Sequence, residues 1–254
     1  MMLMRKFIYL GTVILLVNGC LPLPSIDKEN VSKDPENLDY LIAYYPFEGT
    51  ADDHGENGYD GLAVGDPTYI DDTPDGSGSA IRLNGFKGQY INIPYSFLND
   101  LKEYSVSFWI KDFSIGMVFS SISSDYVRSD YPRLLITDGQ KFRFYTGYDN
   151  YDSTAPFVYD CTSIMSSVWH HIVLVVCSDA SSGNRSLVKK LYVDGNLVDS
   201  AAADWWEGAS TKINIGGNRN GSYSVSLTAK FDNFRFYGCG LKGNDVLYLF
   251  NNCL

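Results

Sequence analysis

Tyr145, Tyr148 and Tyr151 cluster with Asp149 and Asn150 in one short stretch, and Trp205 adjoins Trp206 in another. Aromatic rings stack on pyranose faces while neighbouring polar groups fix the hydroxyls. Tyr148, Trp205 and Trp206 are therefore the preferred carbohydrate-contacting residues. Tyr126 and Tyr131, which flank Arg128, form a third cluster. Any of these rings can instead cover a sheet edge or pack on a neighbour. A second chemistry is open at residues 52–57, where Asp52, Asp53, Glu56 and Asn57 surround Gly55. Calcium takes six to eight oxygen ligands of this kind. Asp232 alternates with Phe234 and Phe236. That spacing puts a carboxylate on the side of two core aromatics, where an unpaired charge is costly. Asp232 needs a cation there, or an arginine partner or a turn to cap.

Catalytic constellations are sparse. A retaining glycosidase needs two carboxyl groups about 5 Å apart, and acids at alternate strand positions face one groove. Only Asp27 with Glu29 and Asp34 with Glu36 have that spacing, and both pairs fall near the amino terminus. There is no GxSxG elbow and there are three histidines. His170 and His171 are neighbours on an apolar, strand-like run, so their rings point to opposite faces and cannot chelate one ion together. They read as structural residues and His54 as a loop contact. No catalytic residue is assigned, and a carboxylate pair assembled from distant strands is the route left to an enzyme.

These residues need a rigid frame. The chain has 254 residues, 45% hydrophobic and 20% charged, which is globular composition; 15% aromatics and 23 glycines against 5 methionines favour strands and tight turns. The fold class expected is all-β. Tyr104 to Lys111 alternates as a half-buried strand, and Trp169 to Cys177 is apolar on both faces, the pattern of a central strand. Asp138 with Gly139 and Asp194 with Gly195 predict two-residue hairpin turns. A single helix is expected near the end, over residues 244–250, with Asn244 as its cap.

Arg5 and Lys6 precede a short apolar run from Phe7 to Val17. The run is shorter than the roughly 18 residues of a membrane span and reads as a signal peptide. The residues Val17, Asn18, Gly19 and Cys20 resemble the lipobox of bacterial lipoproteins, in which Cys20 is diacylated and becomes the first residue. The organisation expected is a signal peptide over 1–19, a lipidated Cys20 and flexible tether over 20–37, and one domain over 38–254. Leu21 after Cys20 lacks the Asp of an inner-membrane retention signal, so the outer membrane is the expected destination. The net charge of −10 falls to −12 without Arg5 and Lys6, which repels a phosphate backbone and argues against nucleic acid. An exported compartment allows Cys161, Cys177, Cys239 and Cys253 to oxidise. Pairing by proximity gives Cys161 with Cys177 and Cys239 with Cys253, with free thiols as the alternative.

Several segments taken in order resemble the laminin-G-like jelly roll of the concanavalin A-like lectin and glucanase superfamily. They are AlaTyrTyrProPheGluGly at 43–49, the loop at 52–61, SerPheTrpIle at 107–110, TrpHisHisIleVal at 169–173, LeuTyrValAspGlyAsnLeuVal at 191–198, IleGlyGly at 215–217 and PheAspAsnPheArgPheTyr at 231–237. Glu56 and Ala229 stand where the family usually has Gly. The resemblance spans residues 41–250 and implies a two-sheet antiparallel jelly-roll β-sandwich. It also implies calcium ligands at Asp53 and Asp232, joined by Asn57, and a binding module whose partner is a glycan. A protein-binding adhesion domain, with a cell-surface protein as partner, and an atypical glycoside hydrolase are the alternatives, because this fold serves all three.

Overall fold

The computed structural model describes residues 37–99, 101–123, 132–146, 157, 159–179, 186–204, 210–217 and 227–254. Among the described residues fourteen strands follow in chain order: β1 Leu41–Tyr45, β2 Leu62–Val64, β3 Thr68–Ile70, β4 Ala80–Leu83, β5 Tyr90–Ile93, β6 Tyr104–Lys111 and β7 Gly116–Ser123, then β8 Arg133–Ile136, β9 Phe142–Tyr145, β10 His170–Ser178, β11 Leu187–Val193, β12 Asn196–Ala203, β13 Ser210–Ile215 and β14 Ala229–Tyr237. One helix, α1 Gly243–Asn251, follows them. The pairings are antiparallel and form two sheets. The first runs β12-β11-β10-β6-β14-β4-β3 with β1 also on β14, and the second runs β2-β5-β13-β7-β8-β9. The expected two-sheet jelly-roll sandwich is what the chain forms.

Period-two alternation explains most of the frame. Val106, Phe108 and Ile110 of β6 enter the core between the sheets with Ile172, Leu174 and Val176 of β10. The opposite side of β10 is apolar too, and its Val173 and Val175 pack with Tyr192, Tyr237, Val246 and Leu249 in a second cluster beneath α1. The helix is the cover that the doubly apolar strand demanded. Burying Val246 and Leu249 is worth about 1.5–3 kcal/mol each. The helix starts one residue before Asn244: Lys242 is the cap residue, and Asp245 Oδ2 accepts from Lys242 N at 2.8 Å.

The Asp194–Gly195 turn forms as expected, with positive φ at both residues, 49° and 77°. The Asp138–Gly139 hairpin forms with a longer connection. Gln140, not Gly139, takes the positive φ of 54°, and Thr137 N donates to Lys141 O across the loop.

Two expectations are corrected. The alternation of Asp232 with Phe234 and Phe236 is broken by an irregularity in the β14–β6 register between Asp232 and Arg235, where Asn233 has a φ of 51°. The extra residue reverses the facing order. Phe231, Phe234 and Phe236 enter the core, while Asp232 pairs with Trp109 outside that cluster. The proximity disulfides are also absent, since Cys161, Cys177 and Cys239 are free thiols. Cys161 Sγ lies 2.9 Å from Gln140 O, and β10, rising about 3.3 Å per residue, carries Cys177 away from it. Cys239 packs on the second cluster, and α1, about 1.5 Å per residue, separates it from Cys253.

Candidate functional site

Tyr148, Trp205 and Trp206 lie outside the described residues, as do Tyr126 and Tyr131. The structure does describe the residues that precede the segments bearing Tyr148 and Trp205. Thr146 ends the run from β9, Asp204 ends the run from β12, and Asp204 N donates to Thr146 Oγ1 at 3.2 Å. β9 is an edge of the second sheet and β12 an edge of the first, so this bond joins the two sheets along one side. Lys189 reinforces the joint from within. Its fully buried ammonium donates to Phe144 O at 2.8 Å and lies 5.7 Å from the centre of the Phe157 ring.

The outer face of the second sheet begins at this joint. Ile91, Ile213, Ile215, Phe119, Leu134, Phe142 and Phe144 turn into the core, so their strand neighbours turn outward. The register aligns Leu62, Asn92, Asn214, Ser120, Arg133 and Tyr145 in one row across all six strands. Asn92 Nδ2 donates to Asn214 Oδ1 at 2.8 Å. The Arg133 guanidinium lies 4.6 Å from the centre of the Tyr145 ring. Sequence reasoning missed this row because its members come from six separate segments, although the alternation in TyrIleAsnIle and PheArgPheTyr marks Asn92 and Tyr145 as outward.

The expected calcium residues separate. Asp53 organises its own loop: Oδ1 accepts from Tyr44 N and Gly55 N, each at 2.8 Å, and Oδ2 accepts from Tyr59 N at 2.9 Å. Asn57 Nδ2 donates to Ile42 O at 2.8 Å. The acidic residues whose charge acts on Asp232 are Glu48 and Asp75. Burial above all, then these two carboxylates, push the Asp232 carboxyl up to about 8, against the opposing effects of the Asn233 N–H and Arg235. Among the described residues no three His, Cys, Asp or Glu side chains converge closely enough to hold a metal ion. The Asp53, Asn57 and Asp232 set therefore does not fit a calcium cage, whereas the charge around Asp232 suits a hard cation.

The histidines act as ties. Asp194 Oδ2 lies 2.8 Å from His170 Nδ1, and Asp194 Oδ1 accepts from His171 N at 2.9 Å, so one turn carboxylate holds the start of β10. Ser166 Oγ is 3.4 Å from His170 Nε2, beyond the roughly 2.6–3.2 Å of an activated nucleophile. His171 is fully buried beneath α1, with Nε2 2.8 Å from Ser107 Oγ and its ring 5.0 Å from Trp109. Burial first, then the Arg235 charge, lowers its pKa to about 3. His54 stands edge-on to Tyr44, with ring centres 6.2 Å apart.

A second surface lies at one end of the sandwich. Phe86, on the turn between β4 and β5, is 88% exposed and Ile115 is 50% exposed. Thr228 links their loops, accepting from Gly85 N through Oγ1 at 3.1 Å and from Ser114 N through its carbonyl at 2.9 Å.

A laminin-G family model of the concanavalin A-like lectin/glucanases superfamily matches residues 84–247. No curated protein matches the chain. Among solved structures, the binding domain of botulinum neurotoxin DC in complex with SialylT is similar, at 16% identity and TM-score 0.62 over 85% of this chain and 52% of that one. Domain 4 of AbnA, a GH43 extracellular arabinanase from Geobacillus stearothermophilus, in complex with arabinotriose, is similar at 21% identity and TM-score 0.60, over 82% of this chain and 97% of that one. The same toxin domain in complex with rat synaptotagmin II matches at 15% identity and TM-score 0.61, over 85% of this chain and 52% of that one. The chain spans about half the length of these toxin domains. At these identities the likeness is one of fold.

Proposed function

The chain belongs to the concanavalin A-like lectin/glucanases superfamily, and from that membership we propose that it is a lipid-anchored cell-envelope binding module whose ligand is a carbohydrate. The observation that carries the reading is the Thr146–Asp204 hydrogen bond. It starts the segment bearing Tyr148 and the segment bearing Trp205 and Trp206 from one point, so both have their origin beside the Arg133–Tyr145 stack. The solved arabinanase domain with arabinotriose supports a sugar as the ligand class. No catalytic residue is assigned. A glycan array probed with the full chain, with calcium and with chelator, tests this. Binding that Trp205→Ala and Tyr148→Ala each abolish upholds it, and silence from a folded sample overturns it.

Cys20 is the proposed lipid attachment and the outer membrane the proposed location. Among the described residues no helix is long and apolar enough to cross a membrane. Cys20→Ala should move the protein from the membrane to the soluble fraction, and unchanged retention defeats the anchor.

Calcium is proposed as a structural ion drawn to Asp232 by the charge of Glu48 and Asp75, whose side chains do not close into a three-carboxylate cage with it. It would return the buried carboxyl to its ionised form. A second reading, a protein-binding adhesion domain, is favoured by the exposed Phe86 and Ile115 and by the toxin domain solved with synaptotagmin II. Phe86→Ala separates the two readings, since a sugar site beside Tyr145 should ignore it.

A further inference from the structure

We propose that the end of the sandwich carrying Phe86 and Ile115 is a docking surface for a protein partner that presents a carboxylate between apolar side chains, the carboxylate meeting Arg82. The inference deepens the protein-binding reading and rests on it, not on the carbohydrate one. Three loops form this end, and hydrogen bonds fix them to one another. Thr228 N donates to Ser114 Oγ at 3.1 Å, which adds to the Thr228 bonds that tie the turn of Phe86 to the connection bearing Ile115. On that same connection Asp112 N donates to Ser166 O at 3.2 Å, and Val168 N donates to Ser166 Oγ at 3.4 Å. Val168 is 54% exposed. Phe86 stands on the short turn Gly85–Lys87, where Asn84 accepts from Phe86 N through its side chain and Gly88 closes the other side at a φ of 66°. Three large apolar side chains are thus held in solvent on a fixed backbone, the arrangement of an interaction surface.

The charges between these loops do not balance. Arg82, Lys230 and Lys111 take facing positions on β4, β14 and β6, and like charges set opposite one another are unfavourable unless answered. Two carboxylates answer two of them. Asp72 lies 2.8 Å from Lys111 Nζ and 2.6 Å from Lys230 Nζ, and Asp112 lies 2.7 Å from Lys230 Nζ. Arg82 is left over: it alternates with the core residues Ile81 and Leu83, is exposed, and has no ion pair among the described residues. It lines a cavity of about 130 Å³ with Asp112, Thr228, Ala229 and Lys230. A carboxylate entering that cavity meets the planar N–H fork that binds such groups in pairs, and the apolar side chains beside it meet Phe86 and Ile115 on the loops that Thr228 joins.

Two observations choose a protein over a bilayer. The chain enters the domain at the opposite end, where Asn37 Nδ2 donates to Asp245 Oδ2 at 2.8 Å and Gly238 N donates to Tyr40 O at 2.9 Å. Thr228 and Gly238 flank the two ends of β14, which at about 3.3 Å per residue sets them about 26 Å or more apart. An anchor at Cys20 would hold the domain by that far end. A bilayer also offers many phosphates at once to a molecule of net charge −10, whereas a protein need offer only the single carboxylate that Arg82 lacks.

The test pans a random dodecapeptide library on phage against the full chain in detergent. Enriched sequences should carry Asp or Glu between apolar residues, and the synthetic peptide should bind Arg82→Gln and Phe86→Ala each about tenfold more weakly than wild type. Both side chains are exposed, so neither variant should move the thermal transition. Replacing the peptide's acidic residue by its amide should cost about the same tenfold against wild type and nothing further against Arg82→Gln. Peptides that need Phe86 but ignore Arg82→Gln overturn the carboxylate assignment and leave the protein-binding reading standing. Phosphatidylglycerol vesicles bound through Phe86 overturn the protein partner. No enrichment, or peptides indifferent to both variants, overturns the inference and the protein-binding reading together.

Discussion

Asp204 N donates to Thr146 Oγ1 at 3.2 Å although 58 residues separate the two. The bond closes one side of the sandwich, where the edges of the two sheets meet, and it sets the starting point of both aromatic segments.

Thr146→Val keeps the shape of the side chain and removes the acceptor. The expected loss of stability is about 0.5–1.5 kcal/mol, read as a lower urea midpoint. Glycan affinity should fall further than stability does, and a fall in stability with unchanged affinity separates the joint from the binding site.

His171 makes the fold acid-sensitive. Its pKa is about 3 when folded against about 6.5 in an unfolded chain. A depressed histidine favours the neutral form, so its contribution is complete above 6.5 and is lost as pH falls toward 3. Each unit of that fall costs up to about 1.4 kcal/mol. Because Asp232 titrates with the opposite sign over this range, the loss should show in urea midpoints at pH 7 and pH 4 in an Asp232→Asn background, and adding His171→Asn should remove it while lowering stability at pH 7.

Asp232 has the opposite sign. Its carboxyl titrates at about 8 when folded, against 3.8 for an ordinary aspartate, so it favours the folded state at low pH and that contribution is lost as pH rises from 3.8 through about 8. Between 3.8 and 6.5 this decline offsets the rise from His171, and above 6.5 it stands alone. Asp232→Asn should raise the melting temperature at pH 8 in chelator. In the wild type calcium should raise it instead, and a melting temperature indifferent to calcium there counts against the ion.

Three thiols should be chemically present but slow. Burial pushes Cys161 and Cys239 up to about 11 and raises Cys177 as well, and the thiolate is the reactive form. Iodoacetamide at pH 8 should leave all three largely unmodified in the native protein and alkylate them on unfolding without reductant. Peptide mapping that finds any of the three in a disulfide refutes this.

The frame was readable because its signals are local. Tyr104 to Lys111 becomes β6 with those bounds, although the strand is buried on both faces and not on one as its alternation suggested. The doubly apolar run at 169–177 becomes the strand between β6 and β11, and Asp194–Gly195 makes the turn its residue types favour. The family motifs are of the same kind, short runs whose order survives in the chain. What failed was local pattern extended past a break: one left-handed residue, Asn233, reverses the facing order that alternation assigned to Asp232.

The candidate site was only half legible. Residue type alone marked Tyr148, Trp205 and Trp206 as sugar-stacking groups and Asp53 as an oxygen donor. That Asp53 spends its carboxylate on three backbone amides, that Glu48 and Asp75 are the carboxylates acting on Asp232, and that Thr146 meets Asp204 are facts of tertiary packing. The row across the second sheet is the clearest case, because six strands scattered between Leu62 and Ile215 must be laid side by side before Leu62, Asn92, Asn214, Ser120, Arg133 and Tyr145 meet. Sequence determines which way each side chain points along its own strand, through the fixed period of two; which strands become neighbours is decided by burial of the whole core, and the site exists only at that level.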